Sequence, residues 1–120
     1  MHFQEFSAAN RQRCEAPDGF HHLLSSWSLA DWMTAVLGEL GEAANVAKEL
    51  NRIRDGIPGN GEATEQQLRA ALADEIADTF IYLDLLAQSQ GISLEEVVIH
   101  KFNRTSAKIN CSLTLAIAPS

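Results

Sequence analysis

An all-α fold, a bundle of about four helices, is what this sequence predicts. Three observations carry the expectation. Apolar residues recur at spacings of three and four through most of the chain. Helix-capping residues, Ser28, Thr64 and Ser93, stand immediately before such runs. Clusters of Gly, Pro, Asp and Asn punctuate them. The 120 residues suit one domain, 1–120, with a core over 27–108.

The first helix is expected over 3–14, where Phe3, Phe6 and Cys14 share one side. Ala16, Pro17, Asp18 and Gly19 end it, and His21 and His22 sit in the linker to Trp27. The second helix starts after Ser28, with Asp31 favouring its positive end. Leu29, Trp32, Met33, Val36, Leu40, Ala43, Ala47 and Leu50 trace a broad apolar face on it. Asp55 to Gly61 closes it in a loop. The third helix starts after Thr64, whose partner Gln67 completes a capping box. Its stripe runs through Leu68, Leu72, Ile76, Thr79, Phe80, Leu83, Leu86 and Ala87, and Gly91 stops it. The fourth starts after Ser93, with Glu96 as the box partner, and leads into the basic segment HKFNRTSAK. The tail, 111–120, is a short extended piece or a loop.

The chemistry lies in two acidic pairs, Glu39 with Glu42 and Glu75 with Asp78. Each pair is spaced i, i+3, so on a helix both carboxylates point the same way. A solvated helix face is the ordinary reading of any one such pair. Glu39 departs from it, because it falls inside the apolar face between Val46 and Leu50, with Glu42 at the edge. A buried carboxylate needs a cation, a proton or a hydrogen-bond donor. Lys48 and Arg52 lie on the other side of that helix. Gly38 and Gly41 each weaken a helix interior by about 1 kcal/mol, which is understandable if something approaches the backbone there. Glu75, Asp78 and Tyr82 form one polar strip beside the core.

Four carboxylates with no Cys or His at ligand spacing indicate a hard cation, magnesium, with manganese as a substitute. Such ions neutralise a triphosphate and polarise a phosphoryl oxygen. Lys101, in the one dense basic segment, is placed to supply charge to phosphate. Trp27, Trp32 and Tyr82 are the aromatics available to a nucleobase, with core or interface packing the competing reading for the two tryptophans and a polar-edge hydroxyl for Tyr82.

These residues resemble a family. GELGEAANVAKEL, a loop, LADEIADTFIYL and then KFNRTSAK are similar to the E-x-x-E … E-x-x-D pattern and following basic segment of the MazG-like all-α nucleoside triphosphate pyrophosphohydrolases. The resemblance covers Trp27 to Lys108. It implies a helical bundle whose sites are completed in homodimers or homotetramers. It implies hydrolysis of a (deoxy)nucleoside triphosphate to monophosphate and pyrophosphate, an activity suited to cleansing the nucleotide pool. By position, Glu39, Glu42, Glu75 and Asp78 become the magnesium ligands, and one of them orients the attacking water. Lys101 and Asn103 contact phosphate or sugar, with Arg104 and Lys108 as helpers. The chain departs from some dUTP-preferring relatives in lacking an acid directly before Glu42, and it holds one such module rather than a tandem.

Net charge is −7, which disfavours nucleic-acid polymers and anionic membranes as partners. Two cysteines without a CxxC, and no apolar span or signal peptide, point to a cytoplasmic protein. Two other readings compete. A carboxylate-bridged di-iron bundle needs Glu-x-x-His pairs, but Asn45 and Ile81 occupy those positions. A non-catalytic helical module would bind a nucleotide or a protein without turnover.

Overall fold

The computed structural model describes residues 1–57 and 63–117, and these are helical with no strand among them. The elements are α1 (Phe3–Glu15), a 3-10 turn (Leu24–Ser26), α2 (Leu29–Arg54), α3 (Glu65–Ser89) and α4 (Leu94–Lys108). The all-α expectation holds. Part of the glycine-rich loop expected at 55–61 lies outside the described residues, as does the end of the tail.

Local chemistry sets the helix ends. At α2, Asp31 N–H donates to Ser28 Oγ and Ser28 N–H donates to the Asp31 carboxylate. At α3, Gln67 N–H donates to Thr64 Oγ1, and Thr64 N–H donates to Gln67 Oε1. Each box satisfies two donors that a helix start otherwise leaves open. At α4 the expected box is only half made: Glu96 N–H donates to Ser93 Oγ at 3.4 Å, without a return bond from Ser93 N–H to the Glu96 carboxylate. Gly91 stops α3 at a φ of 68°, a left-handed conformation that glycine adopts without strain. This lets Ile92 N–H reach back to Ala87 O, and Gly91 N–H to Gln88 O. Asn110 does the same for α4 at a φ of 58°.

The chain divides into two compact units, one of Met1–Trp27 with Asp84–Ser120 and one of Ser28–Leu83. In the second unit Trp32, Ala43 and Leu68 are buried. The broad apolar face read along α2 is split there. Trp32, Val36, Ala43, Val46 and Leu50 turn inward, while Leu29, Met33, Leu37 and Leu40 remain 46–64% exposed. On α3, Ile76, Phe80 and Leu83 are likewise exposed. At Gly38 and Gly41 no described residue beyond their own helix backbone lies within 4 Å of where a Cβ would stand, so the close approach expected there does not come from the described residues.

The first unit buries Cys14, Leu24, Leu85 and Ala87 together with three polar residues, Asn10, Asp84 and Ser106. Asp84 is fully enclosed. Its carboxylate accepts hydrogen bonds from Ser7 Oγ at 2.9 Å, Asn10 Nδ2 at 3.0 Å and Gln88 Nε2 at 2.9 Å, tying α1 to α3. The segment after α1 folds back on that helix. Phe20 N–H donates to Arg13 O, His22 N–H to Cys14 O, and Cys14 Sγ to His22 O. Gly19 lies so close to Arg13 O that no side chain fits there.

Candidate metal centre

The acidic pairs are carried by α2 and α3 within the second unit. Glu39 lies on the inward sector of α2 between Trp32 and Val46 around the helix, and it is half-buried. Glu75 is half-buried on α3, and Asp78 one turn on is exposed. The three bring carboxylate oxygens within 4.8 Å of one another. Two i, i+3 spacings on packed amphipathic helices are sufficient to produce this convergence.

Glu42 stands outside that trio and is exposed, yet it acts on Glu75. The Glu75 carboxyl is pushed from the usual 4.5 up to about 7. Desolvation is the largest cause, followed by proton sharing with Glu42 and Glu39 and by repulsion from their charges. Glu75 Oε2 is sealed from solvent and has no hydrogen-bond donor. These facts agree once protonation is considered. An ionised carboxylate only accepts, so among acids it finds no partner, whereas a protonated one can donate to Glu42 or Glu39. Among the described residues no Lys, Arg or His forms an ion pair with any of the four acids. The centre therefore lacks a cation of its own side chains.

The donor set fits a hard divalent ion. All donors are carboxylate oxygens, as magnesium, manganese and calcium prefer. Oxygens on opposite sides of one magnesium stand about 4.2 Å apart, from a bond of about 2.1 Å. A spread of up to 4.8 Å needs only a small side-chain contraction. Aqueous ligands or phosphate oxygens would complete the shell.

The remaining predicted residues are placed as follows. Tyr82 is half-buried on α3, one turn beyond Asp78. Trp32 is 1% exposed and offers no open ring face, so its expected base-stacking role is corrected to a packing role. Trp27 belongs to the first unit, where its ring meets His22 edge-on at 4.5 Å. Lys101, Arg104 and Lys108 are exposed along one side of α4, at i, i+3 and i+7, and make no ion pair among the described residues. Asn103 is on another side of that helix, with its amide committed to the tail. Its Nδ2 donates to Leu115 O at 3.0 Å, and its Oδ1 accepts from Leu115 N–H at 2.8 Å. One amide N–H is left for any other contact.

Asp84 is the polar residue that sequence reasoning missed. A signal was present, because the acid is flanked by Leu83, Leu85 and Leu86. The logic applied to Glu39 applies equally there, but its partners Ser7 and Asn10 lie more than seventy positions away. No protein-family model, curated protein or solved structure matches the chain.

Proposed function

We propose that Glu39, Glu42, Glu75 and Asp78 bind magnesium, with manganese as a substitute, and that the chain hydrolyses (deoxy)nucleoside triphosphates to monophosphate and pyrophosphate. The observation that carries the reading is the convergence of Glu39, Glu75 and Asp78 around a sealed, donorless Glu75 oxygen. A carboxylate so placed is destabilised as an anion until a cation or proton reaches it. Bound there, a divalent ion would neutralise triphosphate charge and polarise the phosphoryl group under attack.

The protein's own part is to gather the acids and hold one of them free of full metal coordination, so that it orients the attacking water. The resemblance assigns Lys101, with Arg104 and Lys108 on the same side of α4, to cationic contacts with phosphate oxygens. Asn103 contributes at most its one remaining N–H. Tyr82 and Trp27 are the aromatics left for the base. The resemblance to MazG-like enzymes supplies the reaction class, and the acid geometry supplies the reason to expect a metal.

We further propose that the working form is a homodimer or homotetramer in a reducing cytoplasm. Support for assembly comes from the uncovered stripe Leu29, Met33, Leu37 and Leu40 and from the open glycines beside it. The test is incubation with each nucleoside triphosphate and magnesium, followed by identification of products. Monophosphate plus pyrophosphate, abolished by Glu39→Gln, is the expected result. Tight nucleotide binding without turnover would replace the enzyme with a binding module. Orthophosphate as the primary product would place the cleavage at a different bond.

A further inference from the structure

A second site is suggested in the other unit, in a cleft of about 360 Å³ between α1, the end of α3 and the start of α4. Its volume lies in the lower part of the range that holds small ligands. Phe3 and Ala8 of α1 and Ile92 of the α3–α4 turn give it apolar walls. Its polar lining includes Gln88, Glu95 and Arg11, beside Gln4, Ser7 and Ser93.

The polarity of this lining is fixed by its surroundings. Gln88 Nε2 donates to Ser7 O, Ser7 Oγ and the Asp84 carboxylate. That network consumes the donor end of the amide and leaves Oε1, an acceptor, as its open end. Glu95 is also an acceptor. One of its oxygens, Oε2, is sealed from solvent with no donor. No ion pair neutralises it among the described residues, although Arg11 lines the same cleft. Arg11 is instead held through Nε by Glu15 at 3.0 Å. One Glu95 oxygen is thus withdrawn from water without a partner, and a cation arriving at the other gains attraction with no competing ion pair to break. Two open acceptors, one of them an unneutralised carboxylate, and apolar walls suit a ligand that donates several hydrogen bonds from a positive head on a short carbon body.

We propose that this cleft binds a small primary ammonium compound, its NH3⁺ group donating to Glu95 and Gln88 and its carbon chain lying against Phe3, Ala8 and Ile92. A simple alkylamine and a free amino acid share that chemistry. They differ in a carboxylate, which the outer nitrogens of Arg11 are available to meet.

The test is calorimetric titration of the full chain with 1,4-diaminobutane and, separately, L-leucine, at constant ionic strength. The bis-quaternary analogue of 1,4-diaminobutane, in which every N–H is replaced by N–CH3 and the double positive charge is kept, is the control. Saturable binding of either amine and none of the control is expected. Glu95→Gln should weaken it at least tenfold. Ala8→Trp, which fills the cleft from an exposed position on α1, should abolish it. If Arg11→Gln removes leucine binding alone, the ligand is an amino acid; if the diamine alone binds and ignores that change, it is an alkylamine. Binding that survives both Glu95→Gln and Ala8→Trp would place the amine elsewhere, at the acid centre of α2 and α3, and overturn the proposal. So would the absence of binding by both probes at millimolar concentration.

Discussion

Glu75 is the residue on which the acid centre turns. Its carboxyl, raised to about 7, keeps a proton in the folded chain that the unfolded chain releases near 4.5. Between those values the folded state binds more protons, so stability falls as pH rises, and the loss is complete above 7. Metal-free protein should therefore melt at a lower temperature at pH 8 than at pH 5.5. Glu75→Gln, which mimics the protonated form, should reduce that difference, and saturating magnesium should raise the melting temperature most at the higher pH. Identical pH profiles for wild type and Glu75→Gln would remove the basis for a strained acid. Hydrolysis should fall at least about 100-fold in Glu39→Gln or Glu75→Gln, more than the loss typical of a group that only supports a metal ligand. Asp84 makes a contrasting prediction. Asp84→Ala strips Ser7, Asn10 and Gln88 of their common acceptor inside a sealed space. A loss of about 3 kcal/mol in chemical denaturation is expected, against little change for exposed Asp74→Ala.

At the scale of the element, what could be read in advance depended on how local the cause is. Ser28 with Asp31 and Thr64 with Gln67 are partners within one turn, so their boxes were legible as strings of residue types. Gly91 was legible for the same reason. The inward placement of Glu39 followed from helical period alone, since it shares a sector with Trp32 and Val46. What the period could not decide is how wide a sector the chain itself covers. Leu37 and Leu40 look as apolar as Val36 and Ala43, yet only the latter pair turn inward, because coverage depends on what packs against α2. Asn103 shows the same limit, as its partner Leu115 is in a tail with no regular element of its own. The glycines of α2 make the element's own prediction. With nothing within 4 Å of a Cβ, Gly38→Ala should stabilise the isolated helix by about 1 kcal/mol. If another backbone packs against that position in the assembled protein, the same change should weaken association while the single chain becomes more stable. Denaturation at low and high protein concentration separates the two effects.

For the whole molecule, the balance of buried and exposed apolar groups is the basis of the proposed assembly. The large exposed residues include Leu29, Met33, Leu37 and Leu40 on one side of α2, and Ile76, Phe80 and Leu83 on one side of α3. Scattered exposed leucines are ordinary, but two ordered helical stripes in the unit that holds the acids are not. A net charge of −7 opposes self-association at long range, so contact must come from apolar area large enough to overcome it. Light scattering should accordingly return a multiple of the 13.1 kDa chain mass at micromolar concentration. Leu37 is 64% exposed, so Leu37→Lys costs the single chain little burial. In an assembly it would force a charge into an apolar interface. The variant should shift to the mass of one chain while keeping its helical signal. If the proposed acid centre depends on a second copy, the proposed hydrolysis should fall in proportion to the loss of assembly and return when protein concentration restores it. A wild-type chain that scatters as a monomer and turns over at full rate would show that the acids of α2 and α3 work without any partner, and that the apolar stripes answer to some other surface.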